Sequence, residues 1–158
     1  MAKEIERNFL VNNTSFIQQT ISSTRIRQTY LSDNPDATVR LRIKDDSAFL
    51  TVKGRNNGVI RDEWEYPVPL TDAVEMAERL TGGFSIDKTR YIVDFEGWKW
   101  EIDYFHGRHD GLIVAEIEMP SADCCPPLPS FIGREVSGDP RYYNSVLSTT
   151  PGVPEQNV

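Results

Sequence analysis

The sequence is poor in cysteine and histidine. Its two cysteines, Cys124 and Cys125, are adjacent and therefore poor disulfide partners, and they belong to no CxxC or Cys/His ligand spacing. The sequence thus argues against a disulfide framework and against a zinc site, and it favours a reducing compartment. The two histidines, His106 and His109, lie in a turn and are interpreted as solvated turn residues, which are far commoner than histidine metal ligands in such a place.

Positive charge and long apolar runs are also scarce. The 158 residues include 17 Lys and Arg against 24 Asp and Glu, which gives a net charge of −7. This balance disfavours nucleic acid and anionic membranes as partners, so any polyanion has to be bound locally. No apolar run approaches the roughly 20 residues that span a bilayer, and the N-terminus enters a strand pattern with no apolar signal region. We expect a cytoplasmic protein, a monomer or homodimer, with a small-molecule partner.

What the sequence does contain is an ionisable residue at every second position in several segments. A strand sends alternate side chains to opposite faces, so each segment places two like charges side by side on one face. Such charges repel unless a partner neutralises them. A multivalent cation would do so for glutamates and a polyanion for arginines, and the pattern therefore predicts a metal ion and a phosphate compound. The three pairs are Glu4 and Glu6, Arg40 and Arg42, and Glu116 and Glu118.

Alternation with period 2 predicts a chain built mainly of strands. Turn signals such as the Asn57-Gly58 pair separate neighbouring strands, so most connections are hairpins and the sheet is mostly antiparallel. A chain of this length is expected to form one domain, which we place at residues 1–148, followed by a disordered tail at 149–158. The predicted strands lie near residues 3–11, 25–32, 37–44, 47–54, 61–68, 87–95, 98–105 and 112–119.

Two helical segments are predicted outside the strands. After the fifth strand, Thr71 can cap a helix with an apolar stripe that Gly82 and Gly83 would end. Near the C-terminus, Asp139 followed by Pro140 predicts a short helical segment that continues through residue 147.

The signs of the charges indicate how the strands are arranged. An ordinary half-buried sheet with a wet polar face is the simplest alternative, but solvated faces usually mix signs so that cross-strand pairs attract. Here two strands carry only bases and at least three carry only acids on the charged face. This segregation predicts a β-rich α+β fold: a closed, eight-stranded antiparallel barrel with a charged lumen, and a few helices on its outside.

Five motifs in order resemble the CYTH superfamily, the triphosphate tunnel metalloenzymes. Each motif alone is weak, but five at comparable spacing are specific, and the likeness covers residues 3 to about 147. The chain length and the segment at 26–31 are most similar to the short bacterial members that act on inorganic triphosphate. The motifs are EIE at 4–6, TVRLR at 38–42, LTVK at 50–53, DKTRY at 87–91 and AEIE at 115–118.

The resemblance implies an enzyme that hydrolyses inorganic triphosphate, or a related triphosphate, inside the tunnel with Mg²⁺ or Mn²⁺. It implies that basic side chains bind the substrate: Arg40, Arg42, Lys53, Lys88 and Arg90, with Arg61 as a weaker addition. It implies that carboxylates hold one or two metal ions: Glu4, Glu6, Glu63, Glu65, Glu116 and Glu118, with Asp103 as an outer candidate. A glutamate of the 4/6 pair, or Tyr30, would accept the proton; alternatively, Tyr30 only closes or orders the tunnel.

One position departs from the CYTH pattern. The family signature is ExExK, and Asn8 stands where the signature has lysine. Asn8 shares the lumen face with Glu4 and Glu6, but it is neutral and shorter. Loss of one charge-assisted contact costs about 1.5–3 kcal/mol, so we expect a working but weakened phosphate site. Compensation by Arg7 is not expected, because period 2 places Arg7 on the outward face.

Two other functions compete with hydrolysis. A class IV adenylate cyclase would use the same fold, but it has to hold adenine and direct the ribose 3′ oxygen at the α-phosphate, and this short chain has no added segment for that. A non-catalytic binding module for polyphosphate or nucleotides is the second alternative. The retained acidic pairs argue against it, because simple anion binding does not need them.

Overall fold

A computed structural model describes residues 3–81 and 85–154 of the chain. Two α-helices accompany nine strands in the described ranges. The helices are α1 (Leu70–Leu80) and α2 (Asn144–Leu147). The strands are β1 (Lys3–Val11), β2 (Ser22–Ser32), β3 (Thr38–Lys44), β4 (Ser47–Lys53), β5 (Ile60–Val68), β6 (Ile86–Phe95), β7 (Trp98–Phe105), β8 (Ile113–Glu118) and β9 (Ile132–Glu135).

The strands form one antiparallel sheet that closes on itself. Its order is β5-β4-β3-β2-β6-β7-β8-β1-β9, and the start of β1 also pairs with β5, which joins the first eight strands into a barrel. Glu4 lies opposite Arg61 at this closing seam. The end of β1 instead pairs with β9, which lies outside the ring. The predicted closed eight-stranded barrel is therefore confirmed, with one additional strand.

The apolar face of the barrel points outward and is covered locally. On one side, Phe9, Trp100 and Ile117 are buried beneath Phe16, which belongs to a 3₁₀ helix at Ser15–Gln19. On another side, Ala73 of α1 packs with the apolar face of β3 and β4. Full burial of each large side chain contributes about 1.5–3 kcal/mol, so these covers fix which face of each strand points into the lumen.

At one end of the barrel the inward positions change from charged to apolar. Along β1 the inward series of glutamates and Asn8 ends at Leu10, and along β7 the inward series ends at Phe105. A C-terminal stretch packs against these residues and contributes Tyr142 and Leu147 to the same cluster. We call residues 136–147 the floor segment, because they close this end of the lumen.

Several local predictions differ from the structure. β9 was not predicted, since its four residues are half-buried or exposed and lack a clear alternation. The Thr71 cap is wrong, because α1 begins at Leu70 after Pro69 with no side-chain cap. The Asp139 cap is confirmed by the Arg141 backbone N–H, which donates to its side chain. The predicted stop at residues 82–83 lies outside the described ranges.

The interpretation of the two histidines after β7 also has to be corrected. His109 is buried and hydrogen-bonds the carbonyl of Thr150, so the interpretation of both histidines as solvated is wrong for His109. Its ring packs against the floor-facing Phe105. Thr150 belongs to the tail predicted at 149–158, of which residues 155–158 lie outside the described ranges. Within those ranges, no helix combines the length and the apolar character needed to cross a membrane.

Candidate active site in the barrel lumen

The lumen contains a cavity of about 210 Å³ whose walls are the inward side chains of the barrel. The alternation predicted from sequence places these side chains on one face of each strand, and closure of the sheet brings the faces together. Of the site residues predicted from the sequence, all but Asp103 line this cavity. They are Glu4, Glu6, Asn8, Tyr30, Arg40, Arg42, Lys53, Arg61, Glu63, Glu65, Lys88, Arg90, Glu116 and Glu118.

Strand order divides the lumen into a basic arc and an acidic arc. β4, β3, β2 and β6 are neighbours, and they carry the bases of the lumen except Arg61, which lies on β5; the neutral Gln28 and Tyr30 on β2 stand between these bases. β7, β8, β1 and β5 are also neighbours, and they carry nearly all the acids. The basic arc comprises Arg40, Arg42, Lys53, Lys88 and Arg90, and the acidic arc comprises Glu4, Glu6, Glu63, Glu65, Glu101, Glu116 and Glu118.

Lys88 and Arg90 are held from behind by one carboxylate. Asp103 Oδ2 accepts from Lys88 Nζ at 2.7 Å, and its two oxygens accept from Arg90 Nε and Nη2 at 2.8 and 2.9 Å. Burial lowers the pKa of Lys88 to about 8, even though Asp103 opposes that shift. The Asp103 pKa moves well below its usual range, because the two adjacent cations outweigh the effect of burial.

Arg90 and Arg42 also form hydrogen bonds to side chains of other strands. Arg90 reaches across to the acidic arc, with Nη1 donating to Glu101 at 2.6 Å and Nη2 to Glu116 at 3.2 Å. Arg42 Nε donates to Gln28 at 2.9 Å. Burial, and then the charges of Arg40 and Arg90, lower the pKa of Arg42 to about 10. Clustered cations at this depth favour a bound anion, which would relieve their repulsion.

Lys53 joins the two arcs at the closing seam. Its ammonium donates to both oxygens of Glu4 at 3.0 Å, and it lies 3.3 Å from Glu63. Burial raises the pKa of Glu4. Burial also acts to raise the pKa of Glu63, but the hydrogen bond between the two carboxyl groups and the charge of Lys53 outweigh it, so the Glu63 pKa is lowered.

Glu6, Glu116 and Glu118 place like charges near one another on the inward faces of β1 and β8. Burial raises the Glu6 pKa well above its ordinary value, and repulsion from Glu116 and Glu4 adds to that shift. Burial likewise raises the pKa of Glu116 and of Glu118, which stands opposite Glu6 across β1 and β8. A cation among these carboxylates would remove both the repulsion and the proton.

Comparison with known proteins agrees with this geometry. A model of the CYTH domain matches residues 2–143. The chain belongs to the CYTH family. An inorganic triphosphatase of Acetivibrio thermocellus is 42% identical to this CYTH protein over 151 residues, which cover 96% of each chain. An inorganic triphosphatase of Nitrosomonas europaea is 34% identical over 149 residues, covering 92% of this chain and 96% of the relative.

A solved structure shows the same likeness. The crystal structure of the inorganic triphosphatase NE1496 superposes on this CYTH protein with a TM-score of 0.69 and 29% sequence identity. The superposition covers 96% of this chain and 98% of the other. The barrel and its lumen are therefore the family's fold over nearly the whole chain.

Membership of the CYTH family implies a divalent metal, and the acidic arc fits one by its chemistry. Its donors are carboxylate oxygens, the ligands that hard divalent cations prefer. Four of these carboxyl groups, in Glu4, Glu6, Glu116 and Glu118, have raised pKa values, and an adjacent cation would reverse those shifts. Within residues 3–81 and 85–154, no three Asp, Glu, His or Cys side chains converge tightly enough to hold an ion as they stand. Binding of a metal would therefore draw these carboxylates together.

Asp103 differs from the other predicted metal ligands. Its side chain is 1% exposed, it does not line the cavity, and Lys88 and Arg90 occupy both of its oxygens. A ligand for a metal needs a free oxygen lone pair directed at the site. We therefore place Asp103 behind the basic arc, where it positions two cations, rather than in the metal site.

Asn8 occupies the lumen as the alternation predicted. It lies opposite Glu116 across β1 and β8, and it lines the cavity near the floor segment, whose Ser137 Oγ accepts from its backbone N–H at 2.9 Å. Arg7 points outward and pairs with Glu135 of β9 at 2.8 Å, so it does not replace the missing CYTH lysine.

Tyr30 of β2 and Arg61 of β5 also face the lumen. Tyr30 is half-buried and lies opposite Arg40 in the pairing of β2 with β3. Two donors of Arg61 already form hydrogen bonds within the protein: Nε donates to the Gly54 carbonyl at 2.7 Å, and Nη2 donates to Thr38 Oγ1 at 3.2 Å. Its weaker assignment as a phosphate ligand is consistent with these contacts and remains a prediction.

Several lumen residues were missed in the sequence-based site, and three of them are Glu101, Lys44 and Asn144. Glu101 and Lys44 share the charged faces of their strands, so the alternation itself could have included them. Asn144 lines the cavity from the floor segment and accepts from Lys88 at 3.2 Å. The only sequence signal for it was indirect: the inward positions become apolar at Leu10 and Phe105, which indicates that something covers that end of the barrel.

Proposed function

We propose that this CYTH protein hydrolyses inorganic triphosphate to diphosphate and orthophosphate, with Mg²⁺ or Mn²⁺ as cofactor. The observation that carries the proposal is the pair of facing arcs, basic and acidic, in one cavity of a chain that is 42% identical to an inorganic triphosphatase over nearly its whole length. The negative charge of a triphosphate complements the basic arc, and the positive charge of the accompanying metal ion complements the acidic arc.

The basic arc binds and orients the substrate. Arg40, Arg42, Lys53, Lys88 and Arg90 are each adjacent to a carboxylate or another polar group, so their positions are set before the substrate enters. Phosphoryl transfer needs mainly positioning and neutralisation of charge, and preorganised donors supply both without rearrangement at the moment of reaction. The same side chains stabilise the diphosphate as it leaves.

The acidic arc would hold the metal through Glu4, Glu6, Glu116 and Glu118, with Glu63 and Glu65 on the β5 side. A divalent ion there supplies Lewis-acid stabilisation of the charge on the transferring phosphoryl group. Glu65 is linked to the basic arc through Thr51 Oγ1, which donates to it at 2.7 Å and in turn accepts from Arg40 at 3.3 Å. The two arcs are thereby held in a fixed relation around the substrate.

Two kinds of group are candidates for the acceptor of the proton from the attacking water. Glu4 or Glu6 is one, and the raised pKa of Glu6 suits a general base better than an ordinary carboxylate does. Tyr30 is the other, and it faces the cavity beside Arg40. If Tyr30 only orders the lumen, its hydroxyl is dispensable, and the Tyr30→Phe variant described in the Discussion separates these roles.

The alternatives from the sequence are less well supported. Both curated relatives carry the name inorganic triphosphatase, which favours hydrolysis over cyclisation of a nucleotide. A non-catalytic binding module would retain the basic arc but has no use for seven carboxylates around the same cavity. We further propose that the small triphosphate is the natural partner, and that the protein acts in the cytoplasm as a monomer or homodimer.

The experiment is phosphate release from inorganic triphosphate, ATP and thiamine triphosphate in Mg²⁺, Mn²⁺ or EDTA, with cyclic AMP measured in parallel. We expect metal-dependent release, fastest from inorganic triphosphate. Cyclic AMP from ATP would favour the cyclase. Stabilisation by triphosphate with no release from any compound would favour the binding module and sink the proposed reaction.

A further inference from the structure

The floor segment closes the lumen and so determines how deep a substrate can enter. Tyr142, Tyr143 and Asn144 line the cavity from this segment. Behind them, Tyr142 and Leu147 belong to a buried apolar cluster with the inward residues of the barrel end, and Leu147 is 0% exposed. Because an ionic substrate cannot enter an apolar plug without losing its hydration, the lumen ends at these side chains.

The floor is tied to the barrel by polar contacts as well. Asn56, in the connection between β4 and β5, donates to the hydroxyl of Tyr143 at 3.0 Å. The Arg61 guanidinium lies over the Tyr143 ring, 6.0 Å from its centroid. Asn144 accepts from Lys88. The segment thus contacts one member of the basic arc directly and a second lumen cation through its aromatic ring.

The contact between Asn144 and Lys88 has a defined direction. An ammonium group only donates, so the Asn144 carbonyl oxygen is the atom that faces it. Lys88 has three N–H donors; Asp103 takes one at 2.7 Å and Asn144 takes a second at 3.2 Å. The third donor remains for a phosphate oxygen. Two acceptors in different directions fix the ammonium position far better than one does.

The chemical difference between the two acceptors also matters. Asp103 is charged and neutralises part of the positive charge that it positions. Asn144 is neutral, so it orients the ammonium and leaves its charge available to an anion. A carboxylate on the lumen side of Lys88 would instead compete with the substrate's phosphate.

We propose that Asn144 is a positioning residue of the phosphate site: it holds Lys88 toward the phosphate group that enters deepest, at the floor of a closed-ended lumen. The proposal rests on the proposed function for the identity of its ligand. Asn144 is a part of the site that lies outside the strand motifs. It belongs to the floor segment, which follows the barrel strands along the chain.

The test compares Asn144→Ala with Ser148→Ala. Each variant removes one hydrogen bond of the C-terminal stretch, since Ser148 Oγ donates to the Ser145 carbonyl at 2.7 Å, but only Asn144 contacts Lys88. Isothermal titration with inorganic triphosphate in EDTA measures the dissociation constant, and steady-state kinetics with metal give KM and kcat. For Asn144→Ala we expect KM and the dissociation constant to rise about tenfold, with a smaller change in kcat. Ser148→Ala should bind as the wild type does.

Equal dissociation constants for the Asn144→Ala and Ser148→Ala variants would overturn the positioning role. If Asn144→Ala fails to fold, Asn144→Ser, whose hydroxyl is too short to reach Lys88, takes its place with the same expectation. A wild-type protein that binds triphosphate and releases no phosphate would refute the proposed function alone, because the comparison of dissociation constants does not depend on turnover.

Discussion

Lys88 Nζ lies 2.7 Å from Asp103 Oδ2, and both side chains are only 1% exposed. Asp103 also accepts two hydrogen bonds from Arg90, so a single buried carboxylate positions two cations of the basic arc. A buried pair of this kind contributes little net stability over an apolar pair, but breaking it on one side leaves an uncompensated charge. The arrangement therefore makes the basic arc and the stability of the barrel depend on the same residue.

Asp103→Asn tests this dependence. The variant keeps the shape and removes the charge, leaving Lys88 and Arg90 buried without their counterion. We expect the free energy of unfolding in urea to fall by about 3–5 kcal/mol, with weaker triphosphate binding. The control is Asp62→Asn, because Asp62 forms a surface pair with Lys3 at 3.1 Å and is 39% exposed. The control should lose no more than about 1 kcal/mol. Similar losses for both variants would contradict the assignment.

The pKa of Lys88 predicts how binding depends on pH. Burial lowers this pKa to about 8, so the charged form that attracts phosphate disappears as the pH rises above that value. In EDTA, the affinity of the wild type for inorganic triphosphate should weaken by up to about tenfold between pH 7 and pH 9. Lys88→Arg stays charged throughout, and its affinity should change much less. Parallel pH profiles for the two proteins would show that Lys88 does not control the binding.

Asn8→Lys restores the residue of the CYTH signature. The added ammonium would enter the lumen beside Glu116, at a position where the neutral amide now stands. One regained charge-assisted contact is worth about 1.5–3 kcal/mol, so KM for inorganic triphosphate should fall by roughly one to two orders of magnitude. Gln18→Lys is the control, since it adds the same charge at an exposed position on the 3₁₀ helix. If KM and turnover do not improve in Asn8→Lys, Asn8 is not a defect in the site.

The raised pKa of Glu6 predicts that the stability of the folded protein depends on pH and on bound metal. Its folded pKa is raised above the ordinary value of 4.5 by burial and by Glu116 and Glu4. The protonated form is therefore favoured in the folded state, and this contribution to stability is complete below about pH 4.5 and is lost as the pH rises through the raised pKa. At pH 7.5 without metal, Glu6→Gln should be more stable than the wild type by about 1 kcal/mol or more, roughly 2–4 °C in Tm. At pH 4.5 the difference should vanish.

The change in Tm on addition of metal is the second part of the Glu6→Gln test. Mg²⁺ or Mn²⁺ should raise the Tm of the wild type at pH 7.5, since a cation relieves the same repulsion, and should raise that of Glu6→Gln less. Glu75→Gln, on the exposed surface of α1, is the matched control and should follow the wild type in each of these three conditions: pH 7.5 without metal, pH 7.5 with metal, and pH 4.5. A full metal response in Glu6→Gln would remove Glu6 from the ligand set.

Tyr30→Phe decides between the two candidate proton acceptors. The substitution removes the hydroxyl and preserves the ring that lines the cavity beside Arg40. If Tyr30 accepts the proton, kcat should fall by about 100-fold or more while KM changes little. An unchanged kcat would assign Tyr30 to ordering of the lumen and leave Glu4 or Glu6 as the acceptor.

Much of the barrel could be predicted from alternation alone. The pairs at 4/6, 40/42 and 116/118 required one face of each strand to be charged, and only closure of the sheet brings those faces together in one lumen. The structure confirms the closed barrel and places these side chains around one cavity. Their individual roles remain predictions, because residue types and spacing do not distinguish a ligand from a residue that supports one.

The parts that escaped prediction lack periodicity. β9 has four residues with no buried alternation, so it produces no pattern that stands out from a loop. The direction of Asp103 likewise depends on tertiary contacts: its place on the charged face was correct, but pairing with Lys88 and Arg90 withdraws it from the cavity. Asn144 reaches the lumen only because the floor segment folds back over the barrel end.

Phosphorus NMR of inorganic triphosphate incubated with the purified protein tests the central claim most directly. With Mg²⁺ or Mn²⁺ we expect the triphosphate signals to be replaced by those of diphosphate and orthophosphate in equal amounts, and EDTA should abolish the change. Triphosphate that stays intact in both metals, while still binding to the protein, would contradict the claim that the facing arcs form a hydrolytic site.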